Sequence, residues 1–276
     1  MTTSTPMFEK NDVLVLGHKG MLGSQVTNFF RSVGLSVVTT ELKWPDPCFQ
    51  EKVSKFSGVV VNCAGAIPQS SPIDYSVNYE LPHFILESGG FLLQPDTDCV
   101  FSGKLSAGES YKKNDKMDAE GPYAESKIRF INEMKRYDSH KVRVLRTSIV
   151  GFDKDSKSLL SWFLKTAKQG APCQGYMNHM WNGVTTLEWA KLSLGIIRNW
   201  DHQERVTQVG TKRHVSKMEL LQTFSEVFEI PCDIVPTQNP VSVNKCLESD
   251  FEIDEIRAQL KEFRSHSCNN ESCEMR

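Results

Sequence analysis

The sequence predicts an α/β fold built on a doubly wound, mainly parallel sheet, with a smaller mixed α/β region toward the C-terminus. Three observations carry this. Four apolar residues, Val13-Leu14-Val15-Leu16, pass directly into glycines three apart at Gly17, Gly20 and Gly23, and then into a segment, Ser24 to Val33, whose apolar positions recur at helical intervals. Short β-favouring runs then alternate with helical patterns as far as about Gly151, the order that lays parallel strands side by side. The length, 276 residues, suits one large α/β domain or such a domain with a smaller partner, and either buries a substantial core.

Composition narrows the class of partner. The 32 basic and 34 acidic residues leave a net charge of −2, and no run of like charge is long enough for a nucleic-acid arm or a membrane patch. A small molecule is the expected partner. Met1 to Lys10 is polar and lacks the apolar core of a signal peptide, and no later apolar run has the length of a membrane span, so a soluble, cytoplasmic protein is expected. The eight cysteines, at 48, 63, 99, 173, 232, 246, 268 and 273, form no Cys-x-x-Cys pair and have no His cluster nearby. They read as reduced thiols rather than metal ligands, with Cys268 and Cys273 in a polar stretch, 265–276, expected to be a frayed tail. Repeats are absent, and the oligomeric state is open, a homodimer included.

In the first turn, glycine lets the chain reverse where a Cβ would resist and lets a diphosphate approach the backbone, and the helix that follows presents its amides and dipole to the phosphate charge. Gly17, Lys19, Gly20, Met21, Leu22 and Gly23 are therefore candidate dinucleotide contacts. A P-loop is excluded because no Gly-Lys-Ser or Gly-Lys-Thr closes the turn. Leu35 to Thr40 reads as the second strand, ending at Glu41, eighteen residues beyond Gly23. An acidic group there accepts hydrogen bonds from an adenosine ribose and favours NAD, whereas the nearby Lys43 would pair with a 2′-phosphate and favour NADP. Both cofactors stay open.

Pro45 and Pro47 break the chain before a short helix around Phe49 to Phe56. Gly58 to Ala66 reads as a buried strand entering a turn of small residues, where Cys63, Ala64 and Gly65 would let a cofactor lie against the backbone. Asp74 to Ser88 is predicted helical with a kink at Pro82, and Phe91 to Gln94 is the next strand, leading into Asp96-Thr97-Asp98. Ligands of such sheets sit at the carboxyl ends of the strands. The turns after Leu16 and Asn62 and the Asp96-Thr97-Asp98 segment should thus meet in one crevice.

Tyr111 to Pro122 is turn-rich and delivers the chain to Tyr123-Ala124-Glu125-Ser126-Lys127, the start of a helix predicted to run to about Tyr137. Residues four apart share a helix face, so the phenol and the ammonium can act together. An ammonium nearby stabilises phenolate and is expected to lower the tyrosine pKa, preparing Tyr123 to donate and accept a proton.

Taken together, Gly17-x-x-Gly20-x-x-Gly23, Asn62-Cys63-Ala64-Gly65, Thr97-Asp98 and Tyr123-x-x-x-Lys127 resemble, in order and spacing, the extended short-chain dehydrogenase/reductase superfamily. Asp96-Thr97-Asp98-Cys99-Val100-Phe101-Ser102-Gly103 is similar to the Ser-Thr-Asp-Tyr-Val-Phe-x-Gly segment of dTDP-4-dehydrorhamnose reductases and related nucleotide-sugar reductases, and Arg146-Thr147-Ser148 is similar to their Arg-Thr-Ser strand end. The likeness is strong to about Gly151 and looser beyond. It implies a Rossmann-type sheet over 1–150 with a return near 184–210, and a substrate-binding region formed by 151–183 and 211–264. It also implies NAD(P)H-dependent reduction of a nucleotide-linked 4-keto-6-deoxy sugar. In that scheme Tyr123 protonates the developing alkoxide, Thr97 donates a hydrogen bond to the same oxygen, and Lys127 tunes Tyr123 and holds the nicotinamide ribose. Thr97, Asp98, Cys99 and Tyr123 would face the sugar. Asp96 stands for the usual serine and Cys99 for the usual tyrosine. Related 4,6-dehydratases carry Thr-Asp-Glu at this point, since loss of water needs a further acid and base, and the missing glutamate argues against dehydration. An epimerase with tightly held NAD and a non-catalytic dinucleotide-binding subunit are the alternatives.

Beyond Val142 to Ile149, a predicted core strand, the pattern loosens. Ser158 to Lys168 reads as an amphipathic helix whose Trp162 and Phe163 pack. Gly175 to Thr186 is dense in polar and aromatic groups without period and reads as a loop. Trp181 and Asn182 are its candidate substrate contacts, with a core indole the alternative for Trp181, and His179 is read as structural. Leu187 to Trp200 is a predicted helix, Val206 to Val209 a short strand, and the cations of Gly210 to His214 are expected to face water. Ser216 and Glu219 have capping-box spacing for a helix to about Phe228, followed by a strand over Cys232 to Pro236 and a closing helix over Asp254 to Phe263.

Overall fold

The computed structural model describes residues 12–70 and 72–269. In chain order the first half comprises β1 (Asp12–Leu16), α1 (Met21–Ser32), β2 (Ser36–Thr39), α2 (Pro47–Ser54), β3 (Val59–Asn62), α3 (Val77–Glu87), β4 (Phe91–Asp96), α4 (Pro122–Glu133) and β5 (Val142–Arg146). The second half adds β6 (Ile149–Val150), α5 (Leu159–Lys168), β7 (Cys173–Tyr176), β8 (His179–Trp181), β9 (Val184–Thr185), α6 (Thr186–Arg198) and β10 (Val206–Gln208). It closes with β11 (Val215–Ser216), α7 (Lys217–Phe228), β12 (Ile234–Thr237), β13 (Val243–Asn244) and α8 (Ile256–Asn269).

Alternation along β1 explains the layering. Val13 and Val15 point to one face of the sheet, against Val26 and Phe30 of α1 and Trp189 and Ala190 of α6. Leu14 and Leu16 point to the other, against Phe49, Leu81, Ile85 and Phe130 from α2, α3 and α4. A strand buried on both faces has no polar side, which is why β1 and β3 read as unbroken apolar runs. The central sheet has the order β10-β5-β4-β3-β1-β2, with every pairing parallel. The chain leaves this sheet after β5 and returns through α6 and β10. A separate core, with Phe163, Leu220, Phe224, Leu260 and Phe263, holds α5, α7 and α8 together, and Phe163 packs there as expected while Trp162 is exposed.

Three predicted stretches differ. The strand expected over Val142 to Ile149 is two, because the chain turns away after Arg146: Thr147 N bonds the carbonyl of Asp96 (3.3 Å), and the carbonyl of Ser148 accepts from Val184 N (2.8 Å), so that β6 pairs with β9 instead. Gly175 to Thr186 is not a loop but holds the end of β7 with β8 and β9, whose partners lie far away at β12, β11, β13 and β6. Strands of two to four residues with distant partners leave no period in the sequence. Finally, α8 runs through residues 265–269, part of the expected tail, while the rest of that tail, with Cys273, lies outside the described residues. Cys48, Cys63, Cys99, Cys173, Cys232 and Cys246 are free thiols, and Cys173 and Cys232, on the paired strands β7 and β12 or next to them, have their sulfurs 3.4 Å apart. Among the described residues no helix is long and apolar enough to cross a membrane, and no cluster of potential metal ligands occurs.

Candidate active site

The turn after β1 is built for close approach. Gly17 has φ +71°, and a Cβ on it would lie 2.7 Å from the Cys63 carbonyl oxygen, so the glycine lets the turns after β1 and β3 touch. A Cβ on Gly23 would collide with the carbonyl of Gly17. Gly20 N closes the turn on that same carbonyl (2.9 Å), and Gly20 caps α1 without a side-chain hydrogen bond, leaving the first-turn amides of Met21, Leu22 and Gly23 uncapped by any side chain. These features fit a dinucleotide diphosphate. Cys63 and Ala64 lie at the end of β3 beside them, and burial pushes the Cys63 thiol far up, so it remains a neutral small residue.

At the end of β2, Glu41 is paired with Lys19 of the glycine turn (2.5 Å) and with His18 (3.2 Å), which hold its carboxyl below the usual range. The sequence offered Lys43 as the cation for a 2′-phosphate; the structure adds Lys19, which the turn after β1 brings to Glu41 at the end of β2.

Chemistry gathers at the end of β4. The Thr97 hydroxyl donates to Asp98 Oδ1 (3.0 Å) and accepts from Cys99 N (3.1 Å), and it lies close enough to the Tyr123 phenol to act on its ionisation. Tyr123 is delivered by the first turn of α4, whose Pro122 fixes the helix start. Ser126, one turn on, donates to the Tyr123 carbonyl (2.7 Å) and accepts from Asn78 Nδ2 (3.0 Å). Asn78 also clasps Ala66 through N–H and carbonyl (2.9 and 3.0 Å), so a single buried amide ties the turn after β3 to α4. Lys127 reaches the same turn: a Cβ on Gly65 would lie 3.8 Å from its Nζ. Thr97, Tyr123, Lys127 and the turn of Cys63, Ala64 and Gly65 therefore surround one space at the carboxyl ends of β3 and β4.

The expected lowering of the Tyr123 pKa by Lys127 is not what this site does. Burial pushes the phenol well above its ordinary value, and the neighbouring Cys99, Asp96 and Asp98 add to the rise, while the Thr97 hydroxyl opposes it. The result is a phenol that stays protonated at neutral pH. Burial lowers the Lys127 pKa, opposed by the charge of Asp96. Asp98 is raised by burial, opposed by the Lys245 charge and by hydrogen bonds from Thr97, Cys99 and Ser148. The Cys99 thiol is pushed up to about 11 by burial and by Asp98, so it supplies no base where a dehydratase has a carboxylate.

Trp181 and Asn182 do not open onto this space. Trp181 belongs to the second core, and its indole N–H donates to Ser148 Oγ (2.8 Å), which connects it to Asp98 only through that serine. Asn182 is 4 % exposed and fully used: Nδ2 donates to the carbonyls of Thr211 (2.9 Å) and Leu247 (2.8 Å), and Oδ1 accepts from Leu247 N (2.9 Å). Polar groups with no helical period looked like loop contacts in sequence, yet here they stitch short strands together. Asn182→Ala should therefore act on stability, by about 1–3 kcal/mol per backbone group left unpaired, read as a lower midpoint of thermal unfolding with cofactor affinity unchanged.

The sequence reading singles out neither Asn78 nor Tyr75, whose ring centroid lies 6.1 Å from that of Tyr123, and takes Ser148 only as part of a strand-end motif. For Asn78 a signal existed: it shares helical spacing with the buried Leu81, Pro82 and Ile85, and a lone polar residue on such a stripe has a buried partner.

Residues 11–265 match the family described as RmlD substrate binding domain. The chain belongs to this family. A dTDP-4-dehydrorhamnose reductase of Mycobacterium tuberculosis is 28% identical over 130 residues, covering 42% of this chain and 43% of the relative, so the match spans less than half of that protein. Among solved structures, a dTDP-4-dehydrorhamnose reductase from Bacillus anthracis in complex with NADP superposes with a TM-score of 0.78 at 14% identity, over 94% of this chain and 99% of the other. The corresponding protein from Clostridium acetobutylicum gives 0.76 at 18%, over 92% and 99%. These likenesses show the α/β fold of the family.

Proposed function

We propose that this protein is an NAD(P)H-dependent reductase of a nucleotide-linked 4-keto-6-deoxy sugar. The observation that carries the reading is Thr97 beside Tyr123 at the end of β4, with Lys127 one helical turn on reaching the turn after β3, alongside a glycine turn shaped for a diphosphate. Residues 1–150 with 184–210 would hold the dinucleotide, and 151–183 with 211–264 the sugar nucleotide. The reductases named above, one of them in complex with NADP, support it.

When bound, the nicotinamide supplies a hydride to the carbonyl carbon. This chain supplies the rest. Tyr123, held protonated by burial, gives its phenolic proton to the oxygen as charge develops there. Thr97 and the phenol place two hydroxyls at that oxygen. Lys127, with its ammonium at Gly65, would hold the ribose of the bound cofactor. Asn78 and Ser126 fix the helix on which both sit.

Incubation with NADH or NADPH and a panel of dTDP-, UDP- and GDP-linked 4-keto-6-deoxy sugars, followed by nicotinamide absorbance, tests the reading. Consumption of cofactor with one of these sugars is expected. Nicotinamide that stays bound through purification and is not consumed in turnover would replace the reductase with an epimerase.

The Glu41 cluster sets an expectation for cofactor choice. With Lys19 and His18 beside it, Glu41 is the group that repels a 2′-phosphate while the Lys19 ammonium stands ready to receive one. Glu41→Gln should raise the ratio of kcat/KM for NADPH to that for NADH several-fold, and Lys19→Met should lower it. An unchanged ratio in both variants would remove this cluster from cofactor selection.

A further inference from the structure

Lys245 has no place in the scheme above, yet the fold delivers it to the same space. It follows β13, and both sides of it are pinned. On one side Asn244 donates through Nδ2 to the carbonyls of Ser106 (2.6 Å) and Glu109 (2.9 Å), while its backbone N–H donates to the carbonyl of Gly103 (2.9 Å). On the other, Leu247 is held by Asn182 through its N–H and its carbonyl. Between these clamps the Lys245 stem lies on Gly103. That glycine has φ +80°, and a Cβ there would meet Lys245 Cγ at 3.1 Å and Cε at 3.3 Å. Tyr111 fixes Gly103 from the far side, its phenol oxygen accepting from the backbone N–H groups of Gly103 (3.0 Å) and Lys104 (3.1 Å).

The ammonium so placed acts electrostatically on Asp98 and Cys99, the residues directly after Thr97. Lys245 is half-buried through its stem, and among the described residues its ammonium donates no hydrogen bond and forms no ion pair. A cation whose stem is held between two backbone clamps but which is given no protein acceptor has its donors available to a ligand. The carboxylate beside it decides which ligand. Asp98 would repel a diphosphate at this spot, whereas a hydroxyl accepts from the ammonium and donates to the carboxylate at once.

We propose that Lys245 and Asp98 together grip a sugar hydroxyl next to the carbonyl that is reduced, making Lys245 a specificity-determining residue of the site. This rests on the reductase reading. On a 4-keto-6-deoxy ring only C3 carries a hydroxyl beside the carbonyl, so the hydroxyl is that of C3. Gripping it fixes which face of the ring meets Tyr123 and which meets the nicotinamide.

The test is binding of dTDP-4-keto-6-deoxyglucose and of its 3-deoxy counterpart to the NADP⁺-loaded protein, by calorimetry, so that no turnover is required. A hydrogen bond to a charged group implies that Lys245→Met weakens the first ligand by roughly 10- to 100-fold, with NADP⁺ affinity unchanged and partial recovery in Lys245→Arg. The 3-deoxy ligand should bind wild type and Lys245→Met equally. Equal affinity of wild type and Lys245→Met for the hydroxylated ligand overturns the assignment, and so does an equal loss on both ligands, which would place the ammonium on the diphosphate. Turnover of the same sugar by wild type with NADPH reports separately on the reductase reading.

Discussion

Tyr123→Phe should lower kcat by roughly 100- to 10,000-fold, the range that a positioned general acid contributes, with NADPH affinity close to that of wild type. The substitution removes one oxygen and keeps the ring, so packing beside Tyr75 and the Pro122 start of α4 are preserved. Lys127 is untouched and still reaches the turn at Gly65. What is lost is the phenolic hydroxyl beside Thr97, whose own contacts, to Asp98 and Cys99 N, hold it in place. Because burial holds the phenol protonated, the wild-type rate should show no rise through Tyr123 ionisation across the neutral range. Steady-state kinetics with the reducible sugar, and cofactor titration by fluorescence, separate the two effects. Wild-type-like turnover by Tyr123→Phe would remove the phenol from the chemistry altogether. A loss of cofactor affinity matching the loss of rate would make Tyr123 a binding group rather than an acid.

The parts of this site that were legible in sequence are those where one local constraint writes the residue. A backbone that must adopt φ +71° against the Cys63 carbonyl writes Gly17, and the turn of a helix writes the shared face of Tyr123 and Lys127 at i and i+4. The central strands were legible because burial on both faces makes them apolar throughout, and α7 because Ser216 and Glu219 satisfy each other's capping groups within four residues. Illegible were the features that depend on chain segments brought from far away. Asn182 looked like a substrate contact because nothing local says that its amide will be consumed by Thr211 and Leu247. Nothing local marks Lys245, because the residue that gives its stem a place to lie, Gly103, is 142 positions earlier in the chain. The direction of the Tyr123 shift failed for a related reason: spacing counts the ammonium four residues on, but not the burial or the acids of the neighbouring strand end.

Arg146→Met should cost about 3–5 kcal/mol of folding stability, the scale for removing one member of a buried ion pair, and for a chain of this size lower the unfolding midpoint by roughly ten degrees. Arg146 Nε donates to Asp96 Oδ2 at 2.6 Å, and the two side chains are 2% and 1% exposed. The guanidinium also donates to the carbonyl of Lys113 (3.1 Å) and to Gln208 Oε1 (3.3 Å), and it lies 5.4 Å from the centre of the Phe101 ring, so it joins β4, β5, β10 and the excursion after β4. Methionine fills the volume but leaves the Asp96 carboxylate with no cation, and Asp96 Oδ1 already lacks a partner. Asp96 occupies the place where the related reductases carry serine, so Asp96→Ser in the Arg146→Met background should recover much of the loss by removing the stranded charge. The double variant has a second use. Asp96 supports the charge of Lys127 and opposes ionisation of Tyr123, one residue before Thr97. If the pair serves only to join strands, a double variant with restored stability regains kcat in full. If the Asp96 charge also tunes the site, stability returns while kcat and its pH profile stay shifted, with Lys127 losing its proton at lower pH than in wild type.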